Sequence, residues 1–554
     1  MSINAQATQN LLTRLTPAMA QEFRRTGFWA DTTIFQAAQR NAQRDPEHPA
    51  VRDRHGVVSY RTLVNLAETV ATELELAGLQ PGSRVAAWLS SRIETVVFLL
   101  ACSRNGYVFC PSLHRTHTVS EVIELLRRMR AGAFIGEEGY GAKNEADDIF
   151  TKITAVESVR KVYQLQSIEA ASTWQQLTPV PSRTGAIPCA DADGIVYLAF
   201  TSGTTGDPKG VLHSNNTLLA NARALAKDWH FDPDSVIYSI SPLSHNLGFG
   251  AMVLALFSGA LLVLHDLPRG ASLLARLRET QATFVFGVPT HAIDLVEEIE
   301  SADGTALPKL KGFRISGASA PPNLISRLFA YGIVPQSGYG MTEACSHHYT
   351  MPNDAPDVVA TTSGRACPGY DVAIFDMDNP TTPVESGMVG QIGGRGASLM
   401  LGYFDDQAAT ETAFNSQGWF MTGDLGRIDE RGYLHVNGRL KDVIIRGGHN
   451  IHPARIEMLA MRHPQVERAA AVGVKDERLG EKVCIVVLGK NGARIEPDRL
   501  LSHLHAEGLS PYEMPEYFLQ VDDLPLSASG KILKRALLDP ASPALQPQPV
   551  RWRG

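Results

Sequence analysis

The sequence predicts an α/β fold, with a large N-terminal domain of layered, largely parallel sheets and a small α+β C-terminal domain. Short apolar, β-branched runs alternate with helical patterns, and examples of such runs are residues 84–89, 195–200, 260–264 and 283–288. The C-terminal part differs, because strand-like runs at 469–474 and 482–488 precede a helical pattern at 497–505. We place the boundary in the segment 438–442, which predicts domains at 1–438 and 439–554.

Composition narrows the class of protein. The 554 residues are 44% hydrophobic and 20% charged, which is typical of a globular protein. The net charge of -7 argues against bulk nucleic-acid binding and against a polybasic membrane anchor. The six cysteines include no CxxC pair, so neither a zinc site nor a redox motif is predicted.

One apolar segment needs to be tested as a membrane span. Residues 247–264 contain no charged side chain and are long enough to cross a bilayer. Gly259 divides the segment, however, so we predict a buried helix over 251–257 and a buried strand over 260–264. The polar N-terminus carries no apolar signal core. The sequence therefore predicts a cytoplasmic protein without a membrane span.

The segment 201–210 has the composition of a phosphate-binding loop. Glycines let backbone N–H groups approach phosphate oxygens, hydroxyl groups donate hydrogen bonds, and a lysine offsets charge. The segment follows the predicted strand 195–200, and Ser214 is positioned to cap a following helix. It is not a Walker loop, because its lysine follows a proline. The predicted ATP-binding residues here are Thr201, Ser202, Gly203, Thr204, Thr205, Gly206 and Lys209.

This segment resembles the signature of the adenylate-forming superfamily, which includes acyl- and aryl-CoA ligases, peptide-synthetase adenylation domains and beetle luciferases. Segments 337–343, 418–424 and 525–532 resemble further motifs of that superfamily, in its order and over nearly the whole chain. The resemblance implies that a carboxylate reacts with ATP to give an acyl adenylate and pyrophosphate, and that the acyl group then passes to coenzyme A. It implies ATP, Mg²⁺ and coenzyme A as cofactor and co-substrates.

The second motif implies the adenine, phosphate and metal residues. An aromatic face at Tyr339 suits base stacking, and Thr342 can donate to the α-phosphate. Glu343 offers the hard oxygen that Mg²⁺ prefers, so it is the predicted metal ligand. Without the resemblance, Glu343 would be predicted as an exposed acid in a loop. Thr342 and Glu343 are also predicted catalytic residues, and the remaining ATP-binding residues of this motif are Gly338, Gly340 and Met341.

Three other segments complete the predicted nucleotide site. Small residues at Gly317, Ala318 and Ser319 resemble the other wall of the adenine slot. Asp424 resembles the ribose residue, because one carboxylate can accept hydrogen bonds from two vicinal hydroxyls. Arg439 is similar to the arginine that reaches the ribose and phosphate.

The C-terminal domain is expected to move between the two half-reactions. Lys531, in the last motif, is the predicted catalytic lysine that also binds ATP, since a cation beside the α-phosphorus stabilises the transition state. Lys441 occupies the hinge position of the family. Rotation about it would bring a CoA-binding turn to the active site, and this turn comprises Gly447, Gly448 and His449. Lys534 and Arg535 are expected to be solvated.

The segment 242–250 resembles the start of the acyl pocket. It lacks the aspartate that amino-acid-activating members carry, so an amino acid is disfavoured. We predict a short- to medium-chain, alicyclic or aromatic monocarboxylate and assign His245 a catalytic role. The adjacent His347 and His348 are expected to point apart and are not assigned to a metal site. The predicted acyl-pocket residues are His245, Asn246, Phe249, Val288, Gly317 and Met341.

Three alternatives remain open at this point. The chain could be an aryl-acid ligase that loads a separate carrier protein, or a luciferase-like enzyme that oxygenates an adenylate. It could also be a non-catalytic adenylate-binding protein, although Lys531, Glu343 and Asp424 argue against that. The sequence leaves a homodimer open.

Overall fold

A computed structural model describes residues 14–142, 148–170, 188–201, 208–268, 270–302, 307–317, 320–447, 449–526, 532–538 and 546–552. Its α-helices, in chain order, are α1 (Pro17–Arg25), α2 (Ile34–Arg44), α3 (Tyr60–Leu76), α4 (Ile93–Asn105), α5 (Val119–Met129), α6 (Ile149–Lys152), α7 (Asn215–Asp228), α8 (Asn246–Ser258), α9 (Leu273–Thr280), α10 (Pro289–Ser301), α11 (Pro322–Ala330), α12 (Pro356–Thr361), α13 (Gln407–Thr412), α14 (Pro453–Ala460) and α15 (Pro497–Ala506).

The strands, in the same order, are β1 (Pro49–Asp53), β2 (Gly56–Ser59), β3 (Arg84–Trp88), β4 (Val108–Cys110), β5 (Ala131–Glu137), β6 (Lys161–Leu165), β7 (Ile195–Thr201), β8 (Lys209–Ser214), β9 (Val236–Ser239), β10 (Leu261–Leu264), β11 (Phe284–Gly287), β12 (Gly312–Ile315), β13 (Val334–Met341), β14 (Cys345–Tyr349), β15 (Arg365–Ala366), β16 (Tyr370–Phe375), β17 (Gly390–Gly396), β18 (Gly402–Tyr403), β19 (Phe420–Ile428), β20 (Leu434–Arg439), β21 (Ile444–Arg446), β22 (His449–Ile451), β23 (Val466–Asp476), β24 (Gly480–Gly489), β25 (Tyr517–Val521) and β26 (Gln548–Pro549).

Two large sheets are parallel at their centres. One runs in the order β15-β14-β13-β12-β11-β9-β10-β1-β2, and its pairs from β13 to β1 are parallel. The other runs β18-β8-β7-β4-β3-β5-β6 and is parallel from β7 to β6. The four runs that predicted an α/β fold lie in β3, β7, β10 and β11. The prediction of layered, largely parallel sheets is therefore confirmed.

A third sheet, β16-β17-β19-β20, is antiparallel throughout. Its strands did not stand out in the sequence, because β17 reads Gly-Gln-Ile-Gly-Gly-Arg-Gly and lacks an apolar alternation. At Gly393 a Cβ atom would lie 2.5 Å from Cε2 of Phe375, so neighbouring aromatic packing requires a glycine there. The sheet carries two of the predicted nucleotide residues.

The C-terminal part forms its own sheet, β22-β21-β24-β25-β26, with β23 paired to β24. Helices α14 and α15 cover it, and Leu500, Leu504, Ile456 and Ile485 are fully buried in its core. The runs predicted at 469–474 and 482–488 lie within β23 and β24, and the helical pattern at 497–505 lies within α15. A short 3₁₀ helix, Leu440–Asp442, connects β20 to β21 at the predicted boundary.

The apolar segment 247–264 divides as predicted. Helix α8 ends at Gly259, which adopts a left-handed conformation with φ of 82°, and β10 follows at once. Most of the helix is buried among core side chains. Among the residues that the structure describes, no helix is long and apolar enough to cross a membrane.

Candidate active site

The predicted phosphate segment connects two antiparallel strands. Thr201 at the end of β7 pairs with Lys209 at the start of β8. The residues predicted within that loop, 202–207, lie outside the described part of the chain. Ser214 caps α7 as predicted, because its hydroxyl accepts a hydrogen bond from the Thr217 N–H at 3.2 Å. The stretch between Lys209 and Ser214 is a full strand, where the sequence indicated only a short apolar pair.

Three predicted nucleotide residues meet where β13 approaches the β19–β20 pair. The Tyr339 hydroxyl donates to Oδ2 of Asp424 at 2.7 Å. Arg439, opposite Asp424 in the ladder, places its Nε 3.5 Å from Oδ1 of the same carboxylate. Burial and the neighbouring carboxylate raise the pKa of Tyr339 well above its ordinary value, so its hydroxyl remains a donor. These contacts join an aromatic ring, an acid and a guanidinium into one group.

Glu343 lies beside a tyrosine and a lysine. The Tyr403 hydroxyl donates to Oε1 of Glu343 at 3.0 Å, and Nζ of Lys209 lies 4.8 Å from the centre of the Tyr403 ring. Burial raises the pKa of Glu343, while Tyr403 and the positive charge of Lys209 oppose that rise. The acid is half-buried, whereas the pattern alone predicted an exposed acid.

The donor set around Glu343 fits magnesium. Within the described ranges, no group of three His, Cys, Asp or Glu side chains could hold a metal ion. Mg²⁺ commonly uses one or two protein carboxylates together with substrate phosphates and water. Glu343, a half-buried carboxylate on the turn between β13 and β14, is the residue that would hold it.

His213 on β8 contacts the same turn between β13 and β14. Its Nε2 lies 2.7 Å from the carbonyl oxygen of Thr342, and its Nδ1 lies 3.1 Å from Oγ1 of Thr217. Burial lowers the pKa of His213 to about 4, so the ring is neutral at physiological pH. Sequence reasoning missed this residue, because nothing near it in the chain indicates a contact with Thr342.

A buried guanidinium lies behind the glycines of the second motif. Arg314 on β12 is fully buried and donates to the side-chain oxygen of Gln336 on β13. A Cβ atom at Gly338 would lie 2.6 Å from Nη2 of Arg314, so this position requires glycine. Burial lowers the pKa of Arg314 to about 10, which leaves it charged at neutral pH.

The expectation for the two adjacent histidines is wrong. Their Nδ1 atoms lie 2.8 Å apart and their rings meet at 82°, so His347 and His348 contact each other instead of pointing apart. Both rings are almost completely buried. A buried ring nitrogen needs a hydrogen-bond partner, and here the two Nδ1 atoms serve each other, whereas Nε2 of His347 has no partner among the described residues.

The predicted acyl-pocket residues divide into two groups. Asn246 and Phe249 line a small cavity between α7, α8 and β14, with room for about one water molecule, whose other lining residues are Leu218, Asn221, Ala222, Gly250, Val253, Cys345 and Ser346. Asn246 also donates to the carbonyl oxygen of Met341 at 3.3 Å, which connects the cavity to the second motif. His245, Val288, Gly317 and Met341 are not on this cavity wall. Val288 instead caps the N-terminus of α10 and contacts the position of Gly317.

The predicted CoA turn is held by residues that the sequence did not single out. Gly447 is left-handed, with φ of 57°, and its N–H donates to the Leu479 carbonyl at 2.7 Å. Arg446 donates two hydrogen bonds of 2.9 Å to the Glu516 carboxylate. The Tyr512 hydroxyl donates to the Arg446 carbonyl at 2.8 Å, and its ring meets that of His449 at 4.5 Å. Glu516 and Tyr512 belong to the segment 510–517, whose spacing gave no indication of this contact.

Lys534 is not solvated as expected. Its Nζ lies 2.6 Å from Oε1 of Glu457 and 3.8 Å from Oδ2 of Asp442. The cause is the 3₁₀ helix Lys534–Leu538, which docks through the fully buried Leu537 and brings the lysine to both carboxylates. Lys441 lies in the 3₁₀ helix Leu440–Asp442 with its side chain exposed. Lys531, Ala318, Ser319, Gly448 and the side chain of Arg535 lie outside the described residues.

The chain matches the family model of the AMP-binding enzyme over residues 38–404 and that of the AMP-binding enzyme C-terminal domain over residues 455–531. The first match covers well over half of the chain, so the chain belongs to the AMP-binding enzyme family, and the resemblance seen in its motifs is confirmed. It is an AMP-forming acid–thiol ligase that uses ATP, Mg²⁺ and coenzyme A.

Individual relatives agree with that class. The chain is 30% identical over 518 residues to the medium-chain fatty-acid–CoA ligase of Escherichia coli (strain K12), covering 92% of this chain and 91% of that protein. It is 29% identical over 527 residues to a propanoyl:CoA ligase of Rhodococcus jostii (strain RHA1) whose acyl group carries a methyl-dioxo-octahydroindenyl ring system, covering 91% and 98% of the two chains. The crystal structure of ATP-bound MatB from Rhodopseudomonas palustris superposes with a TM-score of 0.81 at 28% identity, covering 93% and 100%.

Proposed function

We propose that the chain converts a short- to medium-chain, alicyclic or aromatic monocarboxylate to its CoA thioester through an acyl adenylate. The observation that carries the proposal is the convergence of Tyr339, Asp424 and Arg439 into one group, joined by a hydrogen bond and an ion pair. These residues are far apart in the chain, and together they offer an aromatic ring, a diol acceptor and a cation. A nucleotide needs those three chemical features.

In the first half-reaction, a carboxylate oxygen attacks the α-phosphorus of ATP and pyrophosphate leaves. Asp424 and Arg439 hold the ribose, and Lys209 and Thr342 orient the phosphates. Lys531 stabilises the charge that develops on the phosphoryl oxygens. Glu343 is the side chain that would hold Mg²⁺, and the ion would supply neutralisation of the phosphate charge.

In the second half-reaction, the thiol sulfur of coenzyme A attacks the acyl carbon and AMP leaves. The thiol must lose its proton, and we assign His245 at the N-terminus of α8 as the base that accepts it. The domain 439–554 would turn about Lys441 between the two steps, so that Lys531 is exchanged for the turn at Gly447–His449.

The chemistry of the acyl cavity supports an uncharged acyl group. Its wall contains apolar side chains from α7 and α8 together with the uncharged Asn221, Asn246 and Ser346. Among the described residues that line it there is no acidic side chain, which disfavours an ammonium group beside Asn246. The two relatives described above are named for a medium-chain fatty acid and a ring-bearing acid.

A pyrophosphate-release screen tests this function. Carboxylates of increasing length, with alicyclic and aromatic acids beside them, are each supplied with ATP and Mg²⁺, with and without CoA. We expect turnover with CoA and only slow or stoichiometric release without it. Release that requires a carrier protein would indicate an aryl-acid ligase, and oxygen uptake would indicate luciferase-like chemistry. No release with any acid would refute the proposal.

A further inference from the structure

A second histidine lies directly against the proposed thiol base. The His114 and His245 rings are stacked, with centroids 4.1 Å apart and planes inclined by only 11°. Nδ1 of His114 and Oγ of Ser244, the residue just before His245, share a hydrogen bond of 3.2 Å. His114 thus contacts both the ring of the base and the residue that precedes it in the chain.

The loop that carries His114 is itself fixed. The Trp88 indole N–H donates to the His114 carbonyl at 3.0 Å, and the backbone N–H of His114 donates to Nδ1 of His117 at 3.0 Å. Trp88 is almost fully buried in the sheet that contains β3. The backbone of His114 is therefore held from the core side, and its ring stacks on that of His245.

His114 is unsuited to act as a base on its own. Burial and the two neighbouring histidines lower the pKa of His114 to about 2, so the ring stays neutral throughout the working range of an enzyme. A base that exchanges a proton efficiently has a pKa near the working pH. The neutral ring also places no second cation against His245 when that residue becomes protonated.

We propose that His114, together with Ser244, is a positioning residue for thioester formation, because it holds the His245 imidazole in the orientation that accepts the thiol proton. The proposal rests on the proposed function. In this step the sulfur–carbon bond forms and the bond between the acyl carbon and the phosphate oxygen breaks. The thiol proton moves to His245 and then to solvent, and AMP leaves with the bonding electron pair.

The position of His114 separates it from the adenylation residues. Within the part of the chain that the structure describes, its ring bonds to Ser244 and packs against His117 and His245. It has no hydrogen bond there to Tyr339, Glu343 or Asp424. A loss of His114 should consequently affect one half-reaction and spare the other, whereas a general structural role would affect both.

The test compares His114→Ala, His114→Phe and Ser244→Ala in the full-length chain, with His463→Phe as a control for the loss of a ring-contacting histidine elsewhere. Adenylation is measured as carboxylate-dependent exchange of pyrophosphate into ATP. Thioester formation is measured from supplied acyl-AMP and CoA. Because a general base typically contributes 10²–10⁴-fold, we expect His114→Ala to lower thioester formation by about tenfold or more and to leave adenylation within about twofold of wild type.

His114→Phe retains an aromatic ring that can stack on His245. It should therefore recover part of the rate of thioester formation that His114→Ala loses. The double variant His114→Ala/His245→Ala should be no slower than His245→Ala alone, since His114 acts through His245. Equal losses in both half-reactions, an unchanged thioester rate in His114→Ala, or additive losses in the double variant would overturn the proposal. A wild-type chain that makes no acyl-AMP would instead refute the proposed function.

Discussion

Tyr403 connects two predicted residues that the sequence could not place relative to each other. Its hydroxyl donates to Glu343, and its ring lies under the ammonium group of Lys209. Lys209 belongs to the phosphate segment and Glu343 to the second motif, so one side chain sets the distance between a phosphate cation and the proposed metal ligand. The hydrogen bond also opposes the upward shift that burial gives the Glu343 pKa.

Tyr403→Phe should therefore weaken the binding of Mg²⁺ while retaining the ring beneath Lys209. A hydrogen bond of this kind contributes about 0.5–1.5 kcal/mol, so the Mg²⁺ concentration for half-maximal pyrophosphate release should rise roughly two- to thirteenfold. Titration of pyrophosphate release with MgCl₂ measures this half-maximal concentration. Tyr163→Phe is the matched control, because Tyr163 donates to Glu73 at 2.9 Å in another part of the molecule. An unchanged Mg²⁺ requirement would contradict the role given to Tyr403.

His213 makes stability depend on pH. In the folded chain burial holds its pKa at about 4, against an ordinary value of 6.5. Between these values the unfolded chain binds a proton that the folded chain does not, so the free energy of unfolding must fall as pH is lowered from 6.5 towards 4. The shift corresponds to a loss of about 3 kcal/mol from this residue alone.

His213→Gln should flatten that dependence, since an amide can replace the hydrogen bonds without titrating. Urea unfolding at a series of pH values measures the slope. His505→Gln, at an exposed position on α15, should leave the slope unchanged. A slope in His213→Gln equal to that of the wild-type chain would show that the buried ring does not contribute.

The residues that could be predicted differ physically from those that could not. Tyr339, Glu343, Asp424 and Arg439 lie in short segments that the resemblance to the superfamily motifs singled out. Tyr403, His213 and His114 act through contacts that span 60, 129 and 130 residues along the chain. No local pattern indicates such contacts, because only the folded backbone brings the partners together.

At the scale of elements, the same distinction separates the sheets. Strands β3, β7, β10 and β11 were predictable because buried parallel strands are continuous apolar runs. The antiparallel sheet that carries Asp424 and Arg439 was not, because aromatic side chains and neighbouring backbone pack over glycines in β17. Close packing requires these glycines, and glycine lowers strand propensity. The apolar alternation that would have predicted the strand is therefore missing from the sequence.

Helix α8 offers a test of the acyl cavity. Asn246, Gly250 and Val253 lie on one face of the helix and line the cavity, and a Cβ atom at Gly250 would meet nothing within 4 Å. Gly250→Leu should place on this face of the helix a side chain larger than the cavity itself. We expect kcat/KM to fall about tenfold or more for longer or ring-bearing acids, because a blocked pocket cannot bury them, and to change little for acetate or propionate.

A series of linear acids from acetate to decanoate, with cyclohexanecarboxylate and benzoate, measures that profile. Ser258→Leu, at the far end of α8 and outside the cavity, serves as the control for a larger side chain on the same helix. An equal loss for every acid in Gly250→Leu would indicate general damage and would remove this cavity from the acyl site.

For the molecule as a whole, the prediction concerns two lysines with separate tasks. Lys531→Ala should abolish adenylation and largely spare thioester formation from supplied acyl-AMP, because its cation is needed only at the α-phosphorus. Lys441→Pro should damage thioester formation more, because proline restricts rotation at the proposed hinge. Lys441→Ala is the control that removes the charge and keeps the backbone free.

Single-turnover measurements of each half-reaction distinguish the two effects. If both half-reactions fell equally in Lys531→Ala, the two-position description of the C-terminal domain would be wrong. Equal rates for both half-reactions in Lys441→Pro would exclude the 3₁₀ helix Leu440–Asp442 as the pivot.

The pairing of Asp424 with Arg439 has a consequence for this motion. Asp424 precedes the proposed boundary and Arg439 is the first residue beyond it, yet they face each other across one ladder. A ribose bound by both side chains would lie on the rotation axis of the C-terminal domain. The nucleotide could then stay bound through both half-reactions while Lys531 and the CoA turn exchange places beside it. Its departure as AMP would free the site for the next catalytic cycle.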